Sequence, residues 1–213
     1  MLYLSGVVQP ERFGQPGLGF MLTPRMRNRH PVGQRWAADT GLWSARGARA
    51  FDLAAYLAWL TARRPHQAQC LFATAPDVVE DWAATWAWSA PVLPRLRALG
   101  YRAAVVAQDG LTETAALAWD AIDALFVGGS TAYKLAETTY VLVAEAQRQG
   151  KWTHMGRVNS GPRCLAAQAA HYDSVDGTIL RFGPATNWPR VQRWLAHARE
   201  QPPLWAVPQR TTG

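Results

Sequence analysis

Short apolar runs and amphipathic stretches alternate along almost the whole chain, and that alternation limits the architecture more than any other feature. The runs are Leu2–Val8, Gly19–Leu22, Arg35–Asp39, Gln69–Thr74, Ala103–Gln108, Ala124–Val127, Trp152–Met155 and Tyr172–Val175. Bounded by turn residues, they read as buried strands. Between the later runs lie helical patterns: Ala50–Arg63, Val78–Leu99, Thr131–Gln149, Ser160–Ala170 and Asn187–Arg199. Pro91 and Pro94 must split the second of these, and Gly150 is a good left-handed stop for the third. Strands alternating with helices imply an α/β protein with a parallel sheet. Eight runs predict a compact (β/α)8, TIM-like barrel. A doubly wound open sheet is the weaker alternative, because no G-x-G-x-x-G turn follows the first strand. The first two strands are joined without room for a full helix, so the N-terminal region is expected to be irregular.

The 213 residues suit one domain, a barrel over 1–200 with a C-terminal tail over 201–213 where Gly and Pro thicken. A hydrophobic fraction of 49% is far too high for a disordered chain. No apolar run approaches the ~20 residues that span a bilayer, and the start MLYLSGVVQPERFG has no basic then apolar leader pattern. A cytoplasmic protein without a membrane partner is expected. Cys70 and Cys164 cannot form a metal cluster alone, and the five histidines show no ligand spacing, so no metal is expected.

Net charge is +7, and of 22 basic residues only Lys134 and Lys151 are lysines. Arginine forks bind phosphate bidentately, which makes a polyanionic partner the functional reading. Arginine-favouring codon usage is the bland one. Between Phe20 and Ala50 lie Arg25, Arg27, Arg29, His30, Arg35, Arg46 and Arg49 around a single acid, Asp39. Such a segment can hold a phosphate backbone near a reacting group, or can simply be a solvated loop.

In a barrel the functional face collects residues just past the C-terminal ends of the strands. In order these are Asp39-Thr40-Gly41, Pro76-Asp77, Gln108-Asp109-Gly110, Gly128-Gly129-Ser130, Met155-Gly156-Arg157 and Asp173-Ser174-Val175-Asp176-Gly177. Asp77 and Asp109 could equally be helix caps or turn residues. No G-x-S-x-G elbow is present, and Cys164 falls within a predicted helix. Paired carboxylates remain, and two of them facing an anomeric carbon are the equipment for breaking a glycosidic bond. Further acids and amides can read a purine edge. The combination points to the N-glycosidic bond of a nucleotide.

From Arg35 to Pro184 the motif series resembles the tRNA-guanine transglycosylase superfamily, and most of all its short phage and bacterial members that place 7-deazaguanine bases in DNA. Ala38-Asp39-Thr40-Gly41-Leu42-Trp43 is similar to D-S-G-G-[FY], and Pro76-Asp77 to a base-reading segment. Val106-Ala107-Gln108-Asp109-Gly110 is similar to I-V-Q-G, and Phe126-Val127-Gly128-Gly129-Ser130 to a G-G turn. His154-Met155-Gly156 is similar to L-M-G-V-G, and Tyr172-Asp173-Ser174-Val175 to F-D-[CS]-[AV]. Each piece is short; six in order carry the resemblance. The chain departs from the tRNA enzymes in lacking their zinc-binding cysteine insert and their length, which favours DNA over tRNA.

The resemblance implies Asp173 as covalent nucleophile, with Asp176 as the alternative, and Asp39 as its catalytic partner. It implies that Asp77, Gln108, the Gly128 and Gly129 amides and Gly156 hold the base, sandwiched between Trp43 and Met155. Arg25, Arg27, Arg29 and Arg157 would grip phosphates. The expected reaction exchanges guanine in DNA for a preQ0-type 7-deazaguanine through a glycosyl-aspartate. The free base is the co-substrate, no zinc or other cofactor is needed, and a phage-encoded chain would work in host cytoplasm. Oligomeric state is open, with a homodimer among the options. Rival readings are a queuine-type tRNA enzyme, a DNA glycosylase or nucleoside hydrolase on the same scaffold, and a non-catalytic nucleic-acid-binding subunit.

Overall fold

The computed structural model describes residues 1–7, 9–26, 29–42 and 51–197. Eight strands form a closed parallel barrel in sequence order: β1 (Leu2–Ser5), β2 (Leu18–Leu22), β3 (Trp36–Ala38), β4 (Cys70–Thr74), β5 (Ala103–Ala107), β6 (Ala124–Val127), β7 (Trp152–Met155) and β8 (Ser174–Gly177). Closure comes from the β1–β8 pairing, with Leu2 opposite Ser174 and Leu4 opposite Asp176. The fold is therefore a TIM-like barrel, as the alternation predicts.

Helices occupy some of the connections. These are α1 (Leu53–Thr61), α2 (Trp82–Ser89), α3 (Leu93–Ala98), α4 (Thr131–Lys134), α5 (Glu137–Arg148), α6 (Gly161–Ala169) and α7 (Pro184–His197). Asp52 and Asp81 cap α1 and α2 by accepting the N–H of Ala55 and Ala84. Pro94 sits in the first turn of α3, where its missing N–H costs nothing, so the proline split falls where the sequence placed it. Among the described residues, β1 connects to β2 through a 3-10 turn at Pro10–Arg12, which bears out the irregular N-terminal region. The β5–β6 connection also has only short 3-10 turns.

Two local expectations need correction. The Thr131–Gln149 pattern is not one helix: α4 ends after one turn because the Thr139 hydroxyl donates to the Tyr133 carbonyl at 2.6 Å, and Ala136 is extended. A threonine side chain here takes a carbonyl that a continuing helix would have used. The last strand begins at Ser174, two residues later than Tyr172. Its backbone pairing and the hydrogen bonds of Asp173, described below, set that start.

Strand alternation divides the apolar residues into two cores. Leu4, Met21, Ala37, Phe72, Ala104 and Ala124 fill the barrel interior, with Phe126 and Trp152 packed against them. Tyr3, Phe20, Trp36, Val105, Leu125, Met155 and Val175 point outward, into the layer between barrel and helices. Large and small residues interdigitate inside: a Cβ on Gly19 would stand 2.7 Å from the Leu4 side chain. Among the described residues, no helix is long and apolar enough to cross a membrane.

Candidate active site

At the C-terminal mouth of the barrel the strand ends deliver Asp39 after β3, Asp77 after β4, Gln108 after β5, the Gly128–Gly129 turn after β6 and Gly156–Arg157 after β7. Asp176 joins them from within β8, on the inward face it shares with Ser174. Residues two apart on a strand point the same way, so the inward position of Ser174 carries Asp176 to the mouth.

The carboxylates sense one another. Burial lifts the Asp39 carboxyl to about 6, and the negative charge of Asp176 adds to the rise. The Gly41 N–H at 3.0 Å and the Thr74 hydroxyl at 3.3 Å, both donating to Asp39, hold it back only in part. Asp77 is raised further, to about 7, by burial first and by the charge of Asp39 second. The Gln108 amide donates to Asp77 Oδ2 at 2.6 Å, and the Arg157 cation also opposes the rise. Two acids that titrate one after another near neutrality can exchange protons with a bound molecule, which marks a candidate catalytic site.

Burying these acids also costs stability. Each has a folded pKa above the unfolded carboxylate value near 4, so the associated stability is fully present below that value and is lost as pH rises through 6 to 7. Asp77→Asn, whose side-chain oxygen can still accept from Gln108, should therefore raise stability at pH 8 by about 1–3 kcal/mol. Thermal melts at pH 8 and pH 4 check this: the gain should shrink at the lower pH.

Gln108 is positioned as a reader of Asp77's surroundings. Only 2% exposed, it accepts the Glu80 N–H at 2.9 Å, and Glu80 adopts a left-handed backbone (φ 62°) to deliver it. Gly128 lets Gln108 lie across the turn, since a Cβ there would stand 2.9 Å from Gln108 Nε2. The Gly128 N–H itself donates to the Ala107 carbonyl at 2.9 Å, so it is already used in the barrel ladder and is not presented to a base. Asp109 takes the Ser130 hydroxyl and N–H at 2.6 and 2.8 Å, so it braces the residue that caps α4 rather than capping a helix itself.

Several sequence-based placements are corrected. Asp173 precedes β8 and lies at the opposite, N-terminal end of the barrel, away from Asp39. Its carboxylate accepts the N–H of Thr153 at 2.7 Å and the Thr153 hydroxyl at 3.0 Å. Asp123 does the same before β6, accepting the N–H of Ala103 at 2.8 Å, so both acids cap the start of the preceding strand. Met155 is 0% exposed and packs outward toward the helices, because His154 takes the inward position. It cannot close a base sandwich in the mouth. Gly156, buried beside it, does belong there: a Cβ would stand 2.8 Å from Phe126 and 3.5 Å from Asp176 Oδ1.

The arginines separate. Arg157, in a left-handed conformation (φ 59°), points its N–H at Asp176 Oδ1 (3.1 Å) and its guanidinium at the Gly129 carbonyl. It is thus part of the mouth's framework rather than an outer phosphate clamp. Arg25 is exposed three residues past the end of β2. Arg29 is exposed too, but adjoins His30, whose ring stacks on His66 at 4.0 Å and packs edge-on against Trp36, the first residue of β3. That puts Arg29 beside the barrel wall and away from the rim. Trp43, Arg27 and the 201–213 tail lie outside the described residues.

Four residues that the sequence reading did not select also build the mouth. They are His154, bonded to Asp176; Ser174, bonded to His154; half-buried Phe126; and Thr74, which supports Asp39. Lys134 adds a buried cation behind the Gly156 turn, donating to the Gly156 carbonyl at 3.2 Å. Burial lowers its pKa to about 8, with the Arg157 and Arg163 charges assisting. Period-two counting within β4, β6, β7 and β8 places Thr74, Phe126, His154 and Ser174 on inward faces.

Removing the Asp173 carboxylate should be a stability change and nothing more. Asp173→Ala leaves the buried Thr153 N–H and hydroxyl without their acceptor, at a cost of about 1–3 kcal/mol. Urea denaturation measures that loss, while activity per folded molecule should match the parent.

Neither the family models nor the curated proteins contain a match to this chain.

Proposed function

We propose that the protein is a base-exchange glycosyltransferase that replaces guanine in nucleic acid, DNA first, with a 7-deazaguanine base. The motif series resembling the tRNA-guanine transglycosylase superfamily supports this reading, with the nucleophile moved from Asp173 to Asp176. The observation that carries it is that Asp39 and Asp176 meet at one barrel mouth, close enough for the charge of one to raise the pKa of the other. One member of that pair is held ionisable near neutrality while the other accepts two hydrogen bonds on a single oxygen.

The chemistry then runs in two displacements. Asp176 forms a bond from its free oxygen to C1′ as the C1′–N9 bond breaks, and protonated Asp39 gives its proton to the departing guanine. The incoming base loses its N9 proton to the Asp39 carboxylate and attacks C1′, releasing Asp176. Two inversions retain the configuration, as in a retaining glycosidase. Asp77 and Gln108 sit where they can hold the hydrogen-bonding edge of the base. The target nucleotide must leave its stack to reach the mouth, at a cost of a few kcal/mol. The net charge of +7 and exposed Arg25 at the mouth side favour a nucleic-acid substrate.

Incubation with single-stranded or duplex DNA and radiolabelled guanine tests the reaction. Label should enter DNA, and unlabelled 7-deazaguanines should chase it out. Label entering tRNA alone would reassign the substrate. Abasic sites without incorporation would replace transfer by hydrolysis.

A further inference from the structure

Along the inward face of β7 and β8 runs a continuous chain of hydrogen bonds. Trp152 Nε1 donates to Ser174 Oγ at 2.9 Å, Ser174 Oγ lies 2.8 Å from His154 Nδ1, and His154 Nε2 lies 3.1 Å from Asp176 Oδ1. The Arg157 N–H donates to the same Oδ1 at 3.1 Å. His154 is fully buried, whereas the Asp176 side chain is 21% exposed, so the chain leads from the dry barrel interior to a carboxylate that a ligand can reach.

Counting donors gives the chain one direction. An indole N–H only donates and an ionised carboxylate only accepts. Ser174 Oγ therefore receives the Trp152 proton, and the nitrogen facing Asp176 must be the protonated one. In the neutral ring His154 Nδ1 is then an acceptor, and the Ser174 hydroxyl hydrogen goes to it. The other tautomer would set a nitrogen lone pair against Asp176 Oδ1 and leave the Ser174 hydrogen without an acceptor. Phe126 at 4.4 Å and Phe72 at 5.2 Å between ring centroids wall the imidazole with apolar surface, where a mispaired polar atom is expensive.

We infer that His154, locked as its Nε2–H tautomer by Ser174 and Trp152, is a positioning residue that grips Asp176 by Oδ1 and leaves Oδ2 as the oxygen that meets the reacting centre. The role at a reacting centre rests on the base-exchange reading above; the tautomer and the grip do not. Both hydrogen bonds to the carboxylate fall on Oδ1, which fixes the plane of the carboxylate and removes rotation about its last bond.

The test starts with the unmodified protein. Nitrogen-15 histidine spectra at pH 8, with His154 assigned by its absence in His154→Gln, should show Nε2 protonated and Nδ1 unprotonated. In Ser174→Ala the single-tautomer pattern should give way to a mixture. An Nδ1–H signal in the parent overturns the inference whatever reaction the protein performs. In the exchange assay, His154→Leu should lower kcat about 100-fold with KM for DNA changed less than about threefold, the scale expected when a reacting group drifts by about 1 Å. His154→Gln, whose amide can still donate to Oδ1, should recover about tenfold of that loss. An unchanged kcat in folded His154→Leu overturns the positioning role. An Nε2–H spectrum in a protein that exchanges no base upholds the grip on Asp176 and overturns the reaction instead.

Discussion

Asp176→Asn is expected to lower base exchange by about 10⁴-fold or more, the scale seen when a covalent nucleophile is removed from an otherwise intact site. The substitution keeps volume and still offers an oxygen to the Arg157 N–H and to His154, so the mouth should keep its shape. What disappears is the negative oxygen that attacks C1′. With the parent protein, mixing with guanine-containing DNA and quenching in denaturant should show a protein–DNA adduct of the glycosyl-aspartate mass; the variant should show none. Asp173→Asn provides the contrast, since the side chain it alters lies at the other end of the barrel on Thr153. If the adduct survived in Asp176→Asn and vanished in Asp173→Asn, the site assigned here would be at the wrong end of the molecule.

Asp39→Asn should reduce kcat by about 10²–10⁴-fold, the usual worth of a positioned acid or base. With Asp39 raised to about 6, the parent should gain activity with rising pH up to roughly that value in the step where Asp39 takes a proton. That limb of the profile should be missing from the variant. Stability should move the other way. The buried Asp39 carboxylate costs most when ionised, so its penalty is absent below the unfolded value near 4 and complete above the folded value of about 6. Asp39→Asn should therefore melt higher than the parent at pH 8, by roughly 3–8 °C for a chain of this size, and the two should converge near pH 4. Lost activity with gained stability is the signature of a strained functional group rather than a structural one. A variant that loses both has lost packing, and would remove Asp39 from the chemistry.

The barrel was legible because buried parallel strands must be continuous apolar runs, and the helices that cover them must be amphipathic. Eight runs, the proline split before α3 and the helix-poor N-terminal connection are all visible in the residues themselves. Asp39, Asp77 and Gln108 were legible for a related reason: each lies within three residues of the end of its strand, and chain order alone brings strand ends to one face. Cys164 also lies where its helical context placed it, buried in α6.

Asp173 and Met155 were misread for different reasons: β8 starts two residues later than its apolar run, whereas β7 keeps the bounds of its run, Trp152–Met155, and turns Met155 outward toward the helices. A side chain's face depends on the parity of its position along the strand, and a later strand start leaves a residue at the other end. Tyr172-Asp173-Ser174-Val175-Asp176 offers two aspartates, and both Tyr172 and Val175 look equally suited to a strand. Deciding between them takes the pairing of Leu2 with Ser174 and the capture of the Asp173 carboxylate by Thr153, contacts between segments far apart in the chain. The same closure turns His154 inward and Met155 outward. Local pattern thus determined that there is a barrel and roughly which loops crown it. Which aspartate reaches the mouth, and how far burial and a neighbouring charge shift the acids there, was decided only when the sheet closed on itself, because register and desolvation are properties of the assembled strands and of no single one.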